Sequence, residues 1–371
     1  MGRVFDWLGE LLAAMWRILR QLLSWAAIPF VALWRFYWSR GRWTKIIVAA
    51  ILAPWIIGSL NFVWQAAWIR GFDPDYPQTL GIEARAAAPG VEIEGGEGCG
   101  VSYIVEATSH LIDFNVNVNN WMSSNPFYKM GFLLLIDWRD TKFFDNKAAF
   151  QRGVHQAVQR TLIELADRLG RVRGTSEVDP DLDTARGNIQ ADQYTWVLNP
   201  FSPRPFGPTT RSQAYYRSSL SNLESFQERL ATCDASFDVR ADNLLQFLDR
   251  VASDIGSTSA TLMERAANHN GGWFDPRADD LFKDAQGQMY AYYGILAGAR
   301  ADFAEIIEGR EIATLWDNMM DHIEQAIRLR PFVISNGAED GWVMPSHLTA
   351  LGFYVLRARS NMVEIRSVLD R

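Results

Sequence analysis

The chain has 371 residues, 48% of them hydrophobic and 13% aromatic, with only two cysteines and a formal net charge of −7. That composition excludes a disordered chain and a disulfide-built scaffold, and the length suits one or two folded domains. Charge is unevenly placed: residues 1–45 sum to +5, residues 46–69 carry none and residues 70–371 sum to −12, so the acidic body lacks the broad basic face that nucleic-acid binding needs.

Residues 1–42 read as an amphipathic segment. On a helix at about 100° per residue, Arg3, Asp6, Glu10, Arg17, Arg20, Gln21 and Ser24 gather on a narrow polar stripe and leave a wide apolar face. Nine of the chain's 15 Trp fall within the first 68 residues. An Arg- and Trp-rich segment of this kind lies in the plane of a membrane interface, or packs its apolar face on another membrane protein. The charge-free stretch Gln21–Trp34 is short for a span; were it to cross, the body would be cytoplasmic.

From Ile46 to Ile69 no residue is charged, and a bilayer core of about 30 Å needs about 20 apolar residues of helix. The sequence predicts one transmembrane helix over residues 43–69, with Trp43 at one end and Trp64 and Trp68 at the other as interfacial anchors. Arg40, Arg42 and Lys45 precede the span, whereas only Arg70 follows it before Asp73 and Asp75. Positive charge stays on the cytoplasmic side, which sets a cytoplasmic N-terminus and a body across the membrane.

Residues 70–98 read as a juxtamembrane linker, with Pro74, Pro77, Pro89 and a Gly cluster around Cys99. No Gly-Lys-Ser/Thr follows the cluster, so it is not a phosphate-cradling loop. Cys99 and Cys233 could form a disulfide in an oxidising compartment. Alternatively, Cys233 extends the apolar seam Tyr216, Leu223, Phe226, Leu230 as a buried thiol, and both readings stay open.

Residues 99–371 read as an all-α body, an elongated bundle of long, heptad-patterned helices, with a possible subdivision near 178–210. Three apolar seams step by three and four: Phe150, Val154, Val158, Leu162, Leu165, Leu169; then Leu244, Phe247, Val251, Ile255, Thr258, Leu262; then Leu348, Leu351, Val355, Ala358, Met362, Ile365, Leu369. Weaker periodicity predicts helices near 101–122, 212–233, 280–308 and 311–329, with breaks at 179–208, 271–275 and 331–345. Gly294 and Gly298, four apart, would permit close helix approach.

Chemistry is sparse. The five histidines stand apart, with no spacing that places two on one helix face as metal ligands. Asp317, Asp321, His322 and Glu324 read as a solvated face. Asp179-Pro-Asp181-Leu-Asp183 starts like a calcium loop but has Thr184 where Gly is needed. No nucleophile elbow is present. No catalytic residue, cofactor or metal is predicted.

Several short stretches together resemble a proteobacterial family of uncharacterised, single-pass inner-membrane proteins with a domain of unknown function. They are Gly71-Phe72-Asp73, Asp179-Pro180-Asp181-Leu182, Tyr194-Thr195-Trp196-Val197-Leu198, Asp302-Phe303-Ala304-Glu305, Asn336-Gly337, His347-Leu348 and Arg357-Ala358-Arg359-Ser360-Asn361. The resemblance implies an envelope location and an all-helical body, and it brings no catalytic residue. The expected protein is a membrane-anchored, non-enzymatic scaffold or accessory subunit of the bacterial inner membrane, body periplasmic, touching the bilayer through residues 1–69 and contacting envelope proteins or a second copy of itself. Two alternatives are a cell-wall hydrolase using paired carboxylates, which requires an acid-lined cleft, and a carrier of an apolar ligand.

Overall fold

The computed structural model describes residues 34–82, 100–131, 144–171, 177–195 and 208–371, with isolated positions between 14 and 32 and residue 141. Contacts divide the chain into two compact units, 1–61 and 62–371. In the first, helix α1 (Arg42–Ala66) begins, and its side chains from Ile46 to Leu60 are exposed or half-buried. Pro54 sits inside it. Most of the amphipathic stripe predicted upstream lies outside the described residues.

The second unit is all-α, as predicted; among the described residues the only β pairing is isolated bridges. It starts within the last turn of α1, where Phe62 and Ala66 are buried against Met122, Tyr128 and Ala148. The helix therefore ends three residues before the predicted boundary, leaving Trp68 and Ile69 outside it. The stretch read as a linker contributes to the core: α2 (Tyr76–Thr79) buries Tyr76 and Pro77, and Phe72 stacks on Tyr290 with ring centroids 5.0 Å apart.

Helix α3 (Tyr103–Asp113) ends in a π-helical turn, Phe114–Val118, although apolar and polar residues alternate there. A short α4 (Pro126–Met130) precedes α5 (Asn146–Glu164), which also ends in a π turn, Leu165–Leu169. Inside the predicted break lies α6 (Pro180–Ile189): Asp179 accepts from the N–H groups of Asp181 and Leu182, and Pro180 takes the first helical position, where a missing donor costs nothing. Then come α7 (Ser212–Ala231), α8 (Ala241–Asn268), α9 (Ala278–Asp302), α10 (Ala304–Gly309), α11 (Ala313–Arg328) and α12 (His347–Leu369).

All seven residues of the C-terminal seam are buried, and so is the whole seam of α5 with its π turn. The α8 seam is buried except for Thr258, which is half-buried and donates its hydroxyl to Gln288 Oε1 at 2.6 Å. Helix α12 packs on α8 and α11, while α9 packs on α3, α5, α8, α11 and α12. From Ala285 to Ala299 every residue of α9 is buried, which explains its weak amphipathic signature: a helix surrounded on all sides has no polar face to mark its period. Close approach comes from glycine. A Cβ on Gly153 of α5 would stand 1.8 Å from the Asp284 carbonyl, and one on Gly287 of α9 would stand 2.1 Å from the Phe150 carbonyl. Gly298 likewise lies against the Tyr103 backbone, as its spacing foretold, whereas Gly294 receives the Tyr76 ring.

Candidate functional site

The first candidate is a groove of about 640 Å³ whose wall begins at Ala66, the last residue of α1. Three cations reach it from separate elements. Lys147, in the first turn of α5 and 2% exposed, donates from Nζ to the Gln65 carbonyl at 2.9 Å. That carbonyl belongs to the last turn of α1, where carbonyls lack helical partners and cations oppose the macrodipole. Burial, with help from Arg70, lowers Lys147 to about 8. Lys283 on α9 donates to Gln286 Oε1 at 2.8 Å and is lowered to about 8 by burial and then by the neighbouring Arg330. Arg330, beyond the end of α11, holds its guanidinium 4.4 Å from the Phe72 ring centroid. None of the three has a carboxylate partner within ion-pair distance among the described residues. The rest of the wall is mostly apolar, including Trp68, Ile69, Phe144 and Phe332, with Asp279 the one acid among the described lining residues.

A second, polar groove of about 780 Å³ is lined by α5 (Arg152, Gln156, Arg160), by Gln190–Tyr194 after α6, and by Asp254 and Asp284. Both Asp254 carboxylate oxygens are taken: Gln156 donates at 2.9 Å to Oδ1, while Gln288 at 2.7 Å and the Tyr292 hydroxyl at 2.6 Å donate to Oδ2. This carboxylate ties α5, α8 and α9 together and is occupied as an acceptor. Asp284 is raised to about 6 by burial. His155, at the same groove, is lowered to about 4 by burial between Trp121 and Tyr216 and is neutral at physiological pH. Sequence reading missed both grooves, because each gathers residues more than a hundred positions apart.

Beside the first groove, Asp145 at the start of α5 is fully buried with neither carboxylate oxygen hydrogen-bonded. Burial raises it to about 8, and the charges of Asp280 and Asp279 add to the rise.

Of the predicted anchors, Trp43, Trp64 and Trp68 are exposed, and Trp64 and Trp68 meet edge-on at 6.0 Å. Arg40 lies over the Phe36 ring and Lys45 over Trp38, while Arg42 is the first residue of α1. Cys233 does not continue the α7 seam, which stops at Leu230. It is exposed beyond the helix end, at φ +63°, and is disulfide-bonded; Cys99 lies outside the described residues.

The residues that carried the resemblance hold the fold. Asp302 accepts from Ser102 Oγ and from the N–H groups of Tyr103 and Ile104, satisfying the start of α3 from the end of α9. Asp179 and Asp181 receive the Arg229 guanidinium, which accounts for the imitation of a calcium loop. Asn336 donates to the carbonyls of Arg265 and His269 and to Asp275, which pairs with Arg265; Ser335 N–H donates to His347 Nδ1. Tyr194 edges the polar groove, and Trp196–Leu198 lie outside the described residues. Asp317 and Glu324 pair with Arg300 and Arg328, so they form no cluster with His322. Among the described residues no group of three or more His, Cys, Asp or Glu could hold a metal.

A helical body of this kind, fixed by caps and clasps and without a metal cluster among its described residues, matches a family of bacterial proteins over two overlapping segments, residues 129–272 and 264–371. The chain belongs to that family, described as an uncharacterised protein conserved in bacteria (DUF2333). No curated protein and no solved structure matches it.

Proposed function

We propose that this protein is a single-pass, membrane-anchored component of the bacterial inner membrane whose helical body serves as a non-enzymatic scaffold or accessory subunit on the periplasmic side. The observation that carries the reading is α1. It is 25 residues long, about 37 Å at 1.5 Å per residue, and only 6% of its most apolar stretch is buried, unlike the equally long α9 inside the body. The basic flank at Arg40, Arg42 and Lys45 supports a cytoplasmic N-terminus. A Cys99–Cys233 disulfide fits the oxidising side, since these are the chain's two cysteines and Cys233 holds no free thiol. Phe274 and Trp342, exposed on loops joined by the Gly272–Asn336–Ser346 bridges, offer a partner contact.

The test is to fuse a periplasm-active and, separately, a cytoplasm-active reporter after Arg371, and to extract membranes with alkaline carbonate. The expected result is periplasmic activity and retention in the carbonate pellet. Release by carbonate would overturn the anchor, and cytoplasmic reporter activity would reverse the topology. A second reading, hydrolysis by paired carboxylates, draws support from Asp192, Asp254 and Asp284 on the polar groove, but Asp254 and Asp192 each already accept hydrogen bonds at both carboxylate oxygens.

A further inference from the structure

We infer that the cationic groove at the end of α1 binds the phosphodiester headgroup of an anionic phospholipid drawn from the bilayer that α1 enters. The inference rests on the membrane reading above. Lys147, Lys283 and Arg330 converge from α5, α9 and the segment after α11 with no carboxylate partner among the described residues. Lys283 and Arg330 repel each other in partial burial, and an anion bound beside them replaces that repulsion with charge-assisted hydrogen bonds. Burial and Arg330 already depress Lys283, a cost that a bound anion relieves.

The apolar wall distinguishes a lipid from a free anion. Phe332 is 96% exposed and Trp68, two residues past the end of α1, is 57% exposed on the same groove, and exposed aromatic rings favour the membrane–water interface. Inorganic phosphate would use the cations and leave these rings without a role, whereas a phospholipid uses both. Chain continuity supplies the source: the wall starts where the apolar helix stops.

The experiment is native mass spectrometry of the full-length protein in neutral detergent with added dioleoylphosphatidylglycerol, dioleoylphosphatidylcholine or inorganic phosphate. One phosphatidylglycerol should be retained in preference to phosphatidylcholine. Lys283→Gln and Arg330→Gln should each weaken retention about tenfold, the loss of one charge-assisted contact. Arg366→Gln, on an exposed ion pair of α12, should leave it unchanged. Lys147 is left intact because it caps α1, and each variant must keep the wild-type circular dichroism spectrum and thermal midpoint.

Equal retention of the two lipids, or unchanged retention in both groove variants, would overturn the inference. So would displacement of phosphatidylglycerol by inorganic phosphate at matched concentration, which would assign the groove to a free anion. Carbonate extraction separates the two readings: release of the wild type sinks the anchor itself, whereas an integral protein without lipid preference sinks the groove assignment alone.

Discussion

Asp145 shows how a single buried side chain can set a pH response. Its carboxyl is fully buried without a hydrogen-bond partner and is raised from 3.8 to about 8. Between those values the folded chain holds a proton that the unfolded chain has released, so Asp145's contribution, intact below pH 3.8, fades as pH rises toward 8. Asp145→Asn keeps a good helix-capping residue and removes the ionisation. It should raise the thermal midpoint at pH 8.5 by on the order of 5 °C and change it little at pH 4.5; equal shifts at both would show that ionisation is not the cause. Lys147 and Lys283 act in the opposite sense. Each is lowered from 10.5 to about 8, so the unfolded chain holds the extra proton in that window, and their penalty lessens as pH climbs from about 8 to 10.5. Asp302 makes a sharper residue test: Asp302→Ala orphans two buried N–H groups of α3 and should cost about 2–4 kcal/mol in denaturant unfolding.

Between elements, glycine decides how close α5 and α9 lie. Gly287→Ala forces a methyl group against the Phe150 carbonyl, and Gly153→Ala does the same against Asp284. Backbone cannot yield as a side-chain tip can, so each should cost about 1–3 kcal/mol or more. Gly187 on α6 is exposed, and a methyl group placed there would meet nothing within 4 Å, so Gly187→Ala should gain up to about 1 kcal/mol. Denaturant midpoints of the three variants check the pattern; a destabilised Gly187→Ala would contradict it. These elements also show what was legible in the sequence. The seams of α5, α8 and α12 each face one side, so their period stood out. Helix α6 hid behind a Pro and three Asp that read as a breaker because the cap and the helix start share those residues. The role of Gly287 was silent, since its contact lies over a hundred positions away. The cationic groove was illegible for the same reason: Lys147, Lys283 and Arg330 are ordinary surface residues until the chain folds.

For the whole molecule, residues 62–371 form one compact unit. Asp254 binds α5 and α9 on either side of residues 178–210, and Asp302 joins the two ends of the α3–α9 pair. The body should therefore unfold in one cooperative transition with coincident far-ultraviolet and tryptophan signals; two separated transitions would indicate independent halves. If Cys99 and Cys233 pair as proposed, a non-reducing gel should show a faster-migrating band, and reduction should cost up to about 4–5 kcal/mol in the chain-entropy account.

The central place of α9 also governs the order in which the chain can be completed. Helices α3 and α5 precede it by more than a hundred residues, and α11 and α12 follow it. During synthesis the apolar faces of α3 and α5 must wait for a helix not yet made, and long-range pairing of this kind is slow and exposes surfaces that aggregate. The first of the two family segments, residues 129–272, stops five residues short of α9. Recognisable as sequence, it is not a unit of folding: released alone, it would carry Phe150 and its neighbours into solvent with nothing to close over them.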